Sequence, residues 1–363
     1  MAQDKITMLH GSGGQATSEL IRSVFAEAFS NEVLGQMEDS AVVPGSGTIA
    51  MTTDSFVVTP LMFPGGDIGR LAVCGTVNDL LMRGAKPMYL TCGFILEEGL
   101  DVDVLKQAVK SMAETAREAG VLIVAGDTKV IEGNGGMYIN TAGVGFIEND
   151  VDISSAKIRP GDAILVSGTM GDHHAALLGE RMEIETEIQS DNAPLTEIVN
   201  ALLASGLDVH AMRDVTRGGL ATVLKEMAES SQTTFVVQDE AIPVTPQVKD
   251  FCGLLGLDPY YMGNEGKLVL ILPEAEAEKA VEIMRGARYG EGATVIGKVY
   301  GAGAEDGTTG SGAGAPAWNS PGAEDGATAW NNPGAPGDLI AETAIGGQRR
   351  MDVLQDEGLP RIC

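Results

Sequence analysis

The spacing of apolar residues along the chain predicts alternating helices and strands. Leu20, Val24 and Ala28 recur every four residues and fall on one face of a helix over about 16–29. Further helices are predicted over 68–83, 102–119, 194–204, 218–229 and 275–285. Strands are predicted over 48–54, 89–96, 121–124, 137–146, 163–166, 235–238, 267–272, 293–299, 339–343 and 350–354. Because strands and helices mix in two consecutive blocks, we expect two α/β or α+β domains that meet near Asp150.

The composition changes abruptly between residues 301 and 337, where Gly, Ala, Pro, Asn, Asp and Glu dominate. Such a segment buries too little apolar surface to order itself, so we predict a disordered insert. Docking of its two tryptophans, Trp318 and Trp330, on a partner is the alternative. The predicted organisation is therefore an N-terminal domain over 1–150, a C-terminal domain over 151–300, the insert, and final strands with a tail over 338–363.

Charge and composition limit the classes of partner. The chain has 24 Lys and Arg against 51 Asp and Glu, a net charge of −27. A surface this acidic repels nucleic acid and anionic lipid, so we expect neither as a partner. No secretory signal and no apolar run of membrane-spanning length is found, which favours a cytoplasmic location. Three of the four cysteines, Cys74, Cys92 and Cys252, are predicted to be buried thiols without zinc-site spacing.

The fourth cysteine, Cys363, is the last residue of the sequence and follows Pro360, Arg361 and Ile362. Proline fixes its own φ and favours an extended conformation in the residue before it. One interpretation is a short extended segment that presents a nucleophilic thiol. The other is a frayed end whose cysteine has no role.

A glycine-rich loop, formed by His10, Gly11, Ser12, Gly13 and Gly14, precedes the first predicted helix. Backbone N–H groups of such a loop can approach an anion at the start of a helix. A flexible entry to the helix explains the same residues equally well.

Three aspartates, Asp54, Asp79 and Asp127, lie at the ends of predicted strands or on a predicted helix. Carboxylates there are costly to bury unless they bind something. Mg²⁺ uses a few carboxylates together with water and phosphate oxygens, so the three aspartates are candidate ligands of Mg²⁺ and a nucleotide. Helix caps or turns are the alternative for each.

Other polar residues are weaker candidates. Lys129 could neutralise phosphate or form an exposed ion pair with Asp127, and Glu265 could be a base or a solvated carboxylate. The segment Asp214–Gly219 could bind an anion or cap a helix. The histidines His173, His174 and His210 lack the spacing of a metalloprotease site, so we expect structural roles for them. No complete Walker, dinucleotide-binding, hydrolase or protein-kinase motif is present, so ATP would have to bind through a different structural motif.

Taken together, the motifs resemble the hydrogenase maturation protein HypE family, which shares a superfamily with aminoimidazole ribonucleotide synthetase, selenophosphate synthetase and thiamine-monophosphate kinase. The matching stretches are HGSGG from His10, TTDS from Thr52, FPGGDIGRLAVCGTVNDLLMRGA from Phe63, GFILEEGL from Gly93, GDTKV from Gly126, RDVTRGGLA from Arg213, NEGK from Asn264 and PRIC from Pro360. They span nearly the whole chain outside the insert, and PRIC at the last residue is the most specific.

The resemblance implies a two-domain aminoimidazole ribonucleotide synthetase-like α/β (α+β) fold. Its N-terminal domain would dimerise through its sheet and bind ATP with Mg²⁺, and its C-terminal α/β domain would end in a flexible tail. It also implies that Cys363 receives a carbamoyl group from HypF. ATP-dependent dehydration would convert this group to a thiocyanate, whose cyanide passes to iron held by a HypC–HypD complex for [NiFe] hydrogenase.

By the same resemblance, Asp54, Asp79 and Asp127 would hold Mg²⁺ and phosphates, and the loop of His10 to Gly14 would cover the nucleotide. Asn78 and Thr128, which flank two of the aspartates, are assigned to the same nucleotide site. Lys129 and Glu265 would assist deprotonation beside the tail.

Two other functions fit parts of the sequence. A small-molecule ATP phosphotransferase of the same superfamily would not need the tail. A non-catalytic carrier would only present Cys363 to partners. The long insert departs from the family pattern and leaves open how the tail is tethered.

Overall fold

The computed structural model describes residues 5–11, 15–34, 43–45, 47–148, 151–301 and 334–353. Ser12, Gly13, Gly14, nearly all of the predicted insert, and the tail with Cys363 lie outside the described residues. Within the described ranges, no helix has both the length and the apolar character needed to cross a membrane.

Eight α-helices and thirteen strands are described. The helices are α1 (Gln15–Leu20), which continues as a π-helical turn over Ile21–Ala26, α2 (Ile68–Met82), α3 (Val102–Ala119), α4 (Asp172–Arg181), α5 (Thr196–Ala204), α6 (Gly219–Ser231), α7 (Pro246–Leu255) and α8 (Ala277–Gly286). The strands are β1 (Thr48–Phe56), β2 (Met62–Phe63), β3 (Gly66–Asp67), β4 (Lys86–Glu97), β5 (Leu122–Ile131), β6 (Met137–Ile147), β7 (Asp162–Val166), β8 (Ala211–Asp214), β9 (Thr234–Gln238), β10 (Leu268–Pro273), β11 (Thr294–Tyr300), β12 (Leu339–Glu342) and β13 (Gln348–Met351).

The first sheet has the strand order β1-β6-β4-β5, with α2 and α3 packed on one of its faces. Both helices begin at an aspartate cap: the Asp67 carboxylate accepts from the N–H of Gly69 and Arg70, and that of Asp101 accepts from Asp103. Helix α3 is clearly amphipathic, whereas α2 is buried almost all round. Helix α2 is therefore the central element, in contact with the first sheet and with elements of the second half of the chain.

The second sheet has the order β13-β12-β9-β11-β7-β10-β8 and is antiparallel except between β9 and β12. Its strands come from residues 162–351, so the two predicted final strands join the C-terminal half. The chain between Gly301 and Gly334 links β11 to β12, which lie on either side of β9.

The predicted mixture of helices and strands is confirmed, but several elements differ from the prediction. Strand β5 continues through Gly126 to Ile131 instead of ending at Val124, so Asp127 lies within a strand rather than after one. Helices α4 and α7 and strands β2, β3 and β8 were not predicted. In α4 the polar residues Asp172, His173 and His174 are buried, which hides the apolar periodicity on which the prediction depends.

Candidate active site between the two sheets

A cavity of about 230 Å³ lies where β1 and α2 of the first half meet the second half of the chain. It is lined by Thr53, Asp54, Gly75, Asp79, Asp214, Thr216, Arg217 and Glu265. Four of these side chains carry carboxyl groups and one is an arginine. A concave site with this excess of acid is suited to binding cations together with an anionic ligand that they neutralise.

The first half of the chain contributes two of the carboxylates. Asp54 lies on the edge strand β1, and Asp79 lies near the end of α2. The Thr52 hydroxyl donates to Asp79 Oδ2 at 2.8 Å and orients that carboxylate. Gly75, one turn before Asp79, allows the ring of Phe56 to pack close to α2, because a Cβ atom on Gly75 would lie 2.9 Å from that ring.

The second half contributes Asp214 at the end of β8 and Glu265 just before β10. These strands pair antiparallel with Leu268 opposite Asp214, which brings the two carboxyl groups to the same side of the cavity. Gly218 and Gly219 follow with φ values of 78° and 66°, a left-handed conformation that other residues rarely adopt. They turn the chain sharply into α6 and leave Arg217 at the cavity.

Burial and mutual repulsion control the protonation of these groups. Burial raises the pKa of Glu265 well above its usual range, and the charges of Asp214, Asp191 and Asp54 add to the effect. Burial, then the charge of Asp79, raises the pKa of Asp214 to about 7. Carboxyl groups with raised pKa values that converge on a cavity are typical of sites that bind cations or transfer protons.

Replacing Asp214 by Asn is expected to stabilise the ligand-free protein above neutral pH. The folded-state pKa of Asp214, about 7, exceeds the unfolded value of 3.8, so stability that is present below pH 3.8 is lost as the pH rises to about 7. The amide does not ionise, so Asp214→Asn should be about 2 kcal/mol more stable than wild type at pH 8, after allowance for solvent screening. Urea unfolding at pH 5 and pH 8, without metal or nucleotide, measures the difference.

Asp250→Asn is the matched control, because Asp250 lies exposed on α7 and should show no such pH dependence. A wild type as stable as Asp214→Asn at pH 8 would show that Asp214 ionises without penalty.

Comparison with known proteins identifies the family. The chain matches the AIR synthase related protein N-terminal domain over residues 37–147 and the corresponding C-terminal domain over 159–309. It is 47% identical over 365 residues to the carbamoyl dehydratase HypE of Cupriavidus necator, covering 99% of this chain and 95% of that protein. The chain belongs to the HypE family.

Two solved HypE structures support this assignment. A crystal structure of HypE in complex with ATP superimposes with a TM-score of 0.88 at 45% identity, covering 98% of this chain and 99% of the other. A HypE–HypF complex structure matches with a TM-score of 0.73 at 41% identity, covering 94% of this chain and all of the other. The predicted aminoimidazole ribonucleotide synthetase-like fold is thereby confirmed.

The residues assigned by the HypE resemblance separate into two groups in the structure. Asp54, Asp79 and Glu265 line the cavity. Asp127, Thr128 and Lys129 lie on β5, the opposite edge of the first sheet. Three strand spacings of about 4.8 Å separate the edges, or about 14 Å. A single chain therefore does not bring the three predicted aspartates together.

Asp127 also lies on the opposite face of the sheet from Asp54. Asp54 pairs with Thr141 across β1 and β6, and Thr141 pairs with Cys92 across β6 and β4. Thr141 is buried under α2, so this row of residues faces the helices. Asp127 pairs with Gly93 and belongs to the row of exposed residues that includes Asn140. Its carboxylate forms an exposed ion pair with Lys129 Nζ at 2.6 Å, and this hydrogen bond lowers the pKa of Asp127.

The described part of the glycine-rich loop lies near the same distant edge. The turn Met8–Gly11 packs against β5. His10 is buried, and its Nδ1 is 3.0 Å from the backbone nitrogen of Thr7, which donates to it. His10 thus stabilises its own turn and does not line the cavity; Gly11 is part of this turn.

Asn78 has a different position from the one expected of a nucleotide ligand. Its side chain is buried, its Nδ2 donates to Ala193 O at 3.1 Å, and its Oδ1 accepts from Leu195 N at 2.9 Å. Both amide atoms are therefore bound to the backbone of the second half of the chain. Asn78 therefore joins α2 to the segment 193–195 and does not line the cavity.

The cavity contains two residues whose role the sequence left open, Asp214 and Arg217. The motif RDVTRGG that carries them was interpreted as an anion site or a helix cap, and the structure places it at the cavity. The predicted structural roles of the histidines agree with their burial: His173 lies 2.7 Å from Ser190 Oγ, and His210 lies 2.7 Å from Asp162 Oδ2.

The cavity also has suitable donors for Mg²⁺. Asp54 and Asp79 supply hard carboxylate oxygens from adjacent elements. Among the described residues, no group of three or more His, Cys, Asp or Glu side chains is close enough together to hold a metal ion alone. Such a site suits Mg²⁺, which usually binds through one or two carboxylates and completes its shell with water and phosphate.

Proposed function

We propose that the chain dehydrates a carbamoyl group on the thiol of Cys363 to a thiocyanate, using ATP. The observation that carries this proposal is the cavity between the sheets, in which Asp54 and Asp79 face Glu265 in a chain of the HypE family. The relatives are named for carbamoyl dehydration, and one HypE structure contains ATP. Cys363 itself lies outside the described residues.

The chemistry requires activation of oxygen and removal of two protons from nitrogen. The carboxamide oxygen attacks the γ-phosphorus of ATP, a C–O–P linkage forms, and the bond to ADP breaks, while nitrogen gives one proton to a base. The C–O bond then breaks with its electrons leaving on phosphate, nitrogen loses its second proton, and the C≡N bond forms. Phosphorylation is needed because an amide oxygen is otherwise a poor leaving group.

Each carboxylate of the cavity has a distinct task in this scheme. Asp54 and Asp79 would hold Mg²⁺, and the ion would supply positive charge against the phosphates in an otherwise acidic site. Glu265 accepts a proton from the carbamoyl nitrogen, because burial makes its carboxylate, once ionised, a stronger base than an ordinary glutamate. Arg217 is placed to bind the phosphate that leaves.

We propose further that two copies associate through the outer face of the first sheet. That face exposes apolar side chains to water, including Met51, which is 74% exposed, and Ile49, which is 54% exposed. Both of the sheet's edges, β1 and β5, are unpaired within the described residues. Two such four-stranded sheets can close an eight-stranded barrel, whose interior is filled by the apolar side chains.

Such a closure accounts for the separated site residues. If β1 of one copy pairs with β5 of the other, the strand that carries Asp127 and Lys129 of the second copy adjoins the strand that carries Asp54 of the first. The same edge brings the turn containing His10 and Gly11, together with Thr128, to the nucleotide. A homodimer with two composite sites would then contain the complete residue set that the family resemblance implies.

The partners follow from the reaction. A solved HypE–HypF complex supports HypF as a partner, and the family resemblance makes HypF the source of the carbamoyl group. The family resemblance assigns the cyanide acceptor to iron in a HypC–HypD complex. The described cysteines Cys74, Cys92 and Cys252 are buried free thiols, as expected for a reaction in the reducing cytoplasm.

Mass spectrometry of Cys363 tests the function. After incubation with HypF and carbamoyl phosphate, the peptide that contains Cys363 should carry a carbamoyl group, and ATP addition should remove one water from the adduct. ATP turnover on a small molecule that survives deletion of Pro360–Cys363 would instead show a phosphotransferase. Cysteine modification without ATP-dependent loss of water would show a carrier.

A further inference from the structure

A short segment, residues 190–195, lies between the two halves of the chain and contacts both. On one side it binds Asn78, the neighbour of Asp79, through Ala193 O and Leu195 N. On the other side it binds the peptide units around Glu265. The cavity residues of the two halves are therefore held against the same stretch of backbone.

Asp191 makes most of the contacts on the Glu265 side. Its Oδ1 accepts from the backbone N–H of Glu265 at 3.1 Å. Its Oδ2 accepts from Asn264 Nδ2 at 2.9 Å and lies 3.1 Å from Lys267 Nζ. One carboxylate thus binds three donors from a run of four residues, with Glu265 in the middle.

The backbone of Glu265 is held from the opposite direction as well. Its carbonyl accepts from Ala193 N at 3.2 Å. At Gly266 a Cβ atom would lie only 1.9 Å from Asp191 O, so this approach requires glycine. With both peptide groups of Glu265 bound, the direction of its Cα–Cβ bond, and hence of its carboxylate, is fixed relative to the segment 191–193.

Asp191 is charged in this arrangement although its side chain is only 6% exposed. Burial alone disfavours the charged form, but Lys267 and the hydrogen bonds from Asn264 and from the Glu265 N–H hold the pKa of Asp191 below its usual value. A buried ion pair contributes little net stability compared with apolar packing. We therefore attribute to the pair of Asp191 and Lys267 a role in fixing the geometry of the residues around it.

We infer that Asp191 is a positioning residue for Glu265, a role that rests on the proposed function of Glu265 as proton acceptor. The amide of Asn78 holds the segment 190–195 from the first half, and the carboxylate of Asp191, within that segment, holds the run 264–267 of the second half. They set the placement of Glu265 relative to Asp79, and therefore of the proton acceptor relative to the phosphates. Neither residue lines the cavity or touches the reacting atoms.

The substitution Asp191→Asn tests this role with little change of shape. The amide offers one acceptor and one donor, so it cannot accept from the Glu265 N–H and also from Asn264 and Lys267. We expect the ATP-dependent dehydration rate of carbamoylated protein to fall 10- to 100-fold, with the apparent KM for ATP changed by less than threefold. Carbamoylation by HypF should be unaffected.

Asp162→Asn is the matched control, because Asp162 forms another buried pair in the second half, with His210 at 2.7 Å. It should lower the melting temperature by a similar amount and leave the dehydration rate within twofold of wild type. A loss of rate that merely follows loss of stability would appear in both variants and would overturn the inference.

A double-variant cycle separates positioning from a general structural effect. In a Glu265→Gln background, Asp191→Asn should cost less than a further threefold, because the group that it positions is already gone. A full 10- to 100-fold further loss would overturn the inference. If the double variant is too slow to measure, the single variant decides: a fall in kcat with unchanged KM supports positioning, and an unchanged kcat overturns it.

The cycle also distinguishes failure of the inference from failure of the proposed function. Glu265→Gln at the wild-type rate would refute the role of Glu265 itself. A slow Glu265→Gln together with a wild-type rate for Asp191→Asn would refute only the positioning role.

Discussion

Glu265→Gln is expected to lower the ATP-dependent dehydration of carbamoylated protein by about 10²- to 10⁴-fold, the usual contribution of a positioned proton acceptor. Glutamine matches glutamate in shape, so the cavity is preserved, but it cannot take a proton from the carbamoyl nitrogen. Burial raises the pKa of Glu265, which shows that its surroundings disfavour ionisation, and removal of the charge should not weaken the fold. Single-turnover mass spectrometry of the adduct on Cys363 measures the rate.

Glu282→Gln is the control for this prediction, because Glu282 is exposed on α8 and should react at the wild-type rate. Nucleotide affinity should stay within threefold of wild type in both variants. A Glu265→Gln rate within threefold of wild type would mean that another group receives the proton.

Mixing two inactive variants, Asp79→Asn and Lys129→Ala, is expected to restore activity to about a quarter of wild type if the site is shared between two copies. Random exchange makes half of the dimers mixed. Each mixed dimer has one site in which both residues are intact and one in which both are altered. The separation of β1 and β5 at opposite edges of the sheet is the reason for expecting this behaviour.

The control mixture combines Asp79→Asn with Glu265→Gln. Both residues belong to the same cavity of one chain, so every site in every mixed dimer lacks one of them, and no activity should return. If Asp79→Asn and Lys129→Ala form mixed dimers without recovery, Lys129 does not complete the site of a second copy.

Much of the fold was predictable because the elements that hold the site have regular patterns. Helix α3 occupies its predicted range of Val102–Ala119, where its apolar residues recur with helical spacing between an aspartate cap and a final glycine. The sequence analysis grouped Asp54 with Asp79, and the structure brings them to one cavity because α2 packs on β1.

The placement of Asp127 was harder to predict, because it depends on the strand order and register of the first sheet. Both are set by pairing between distant segments. An alternation of apolar and polar residues shows that a strand exists, but it does not show which edge of the sheet the strand occupies. The sequence therefore grouped Asp127 with Asp54, although β5 lies three strands away.

The polar residues at the junction of the two halves were beyond sequence reasoning for a similar reason. Asn78 adjoins Asp79, and nothing in the sequence distinguishes an amide that faces a nucleotide from one that binds a neighbouring backbone. Asp191 lies in a segment without regular structure, so no periodicity draws attention to it. Such residues are recognised only when their hydrogen-bond partners are known.

The fate of the carbamoyl oxygen tests the central claim most directly. Carbamoyl phosphate whose carbonyl oxygen carries a heavy-oxygen label places that label on Cys363 through HypF, and addition of ATP then starts dehydration. If the carboxamide oxygen is phosphorylated in the cavity, the label should appear in inorganic phosphate, one labelled oxygen for each thiocyanate formed. Release of the label into water, with unlabelled phosphate, would contradict the account.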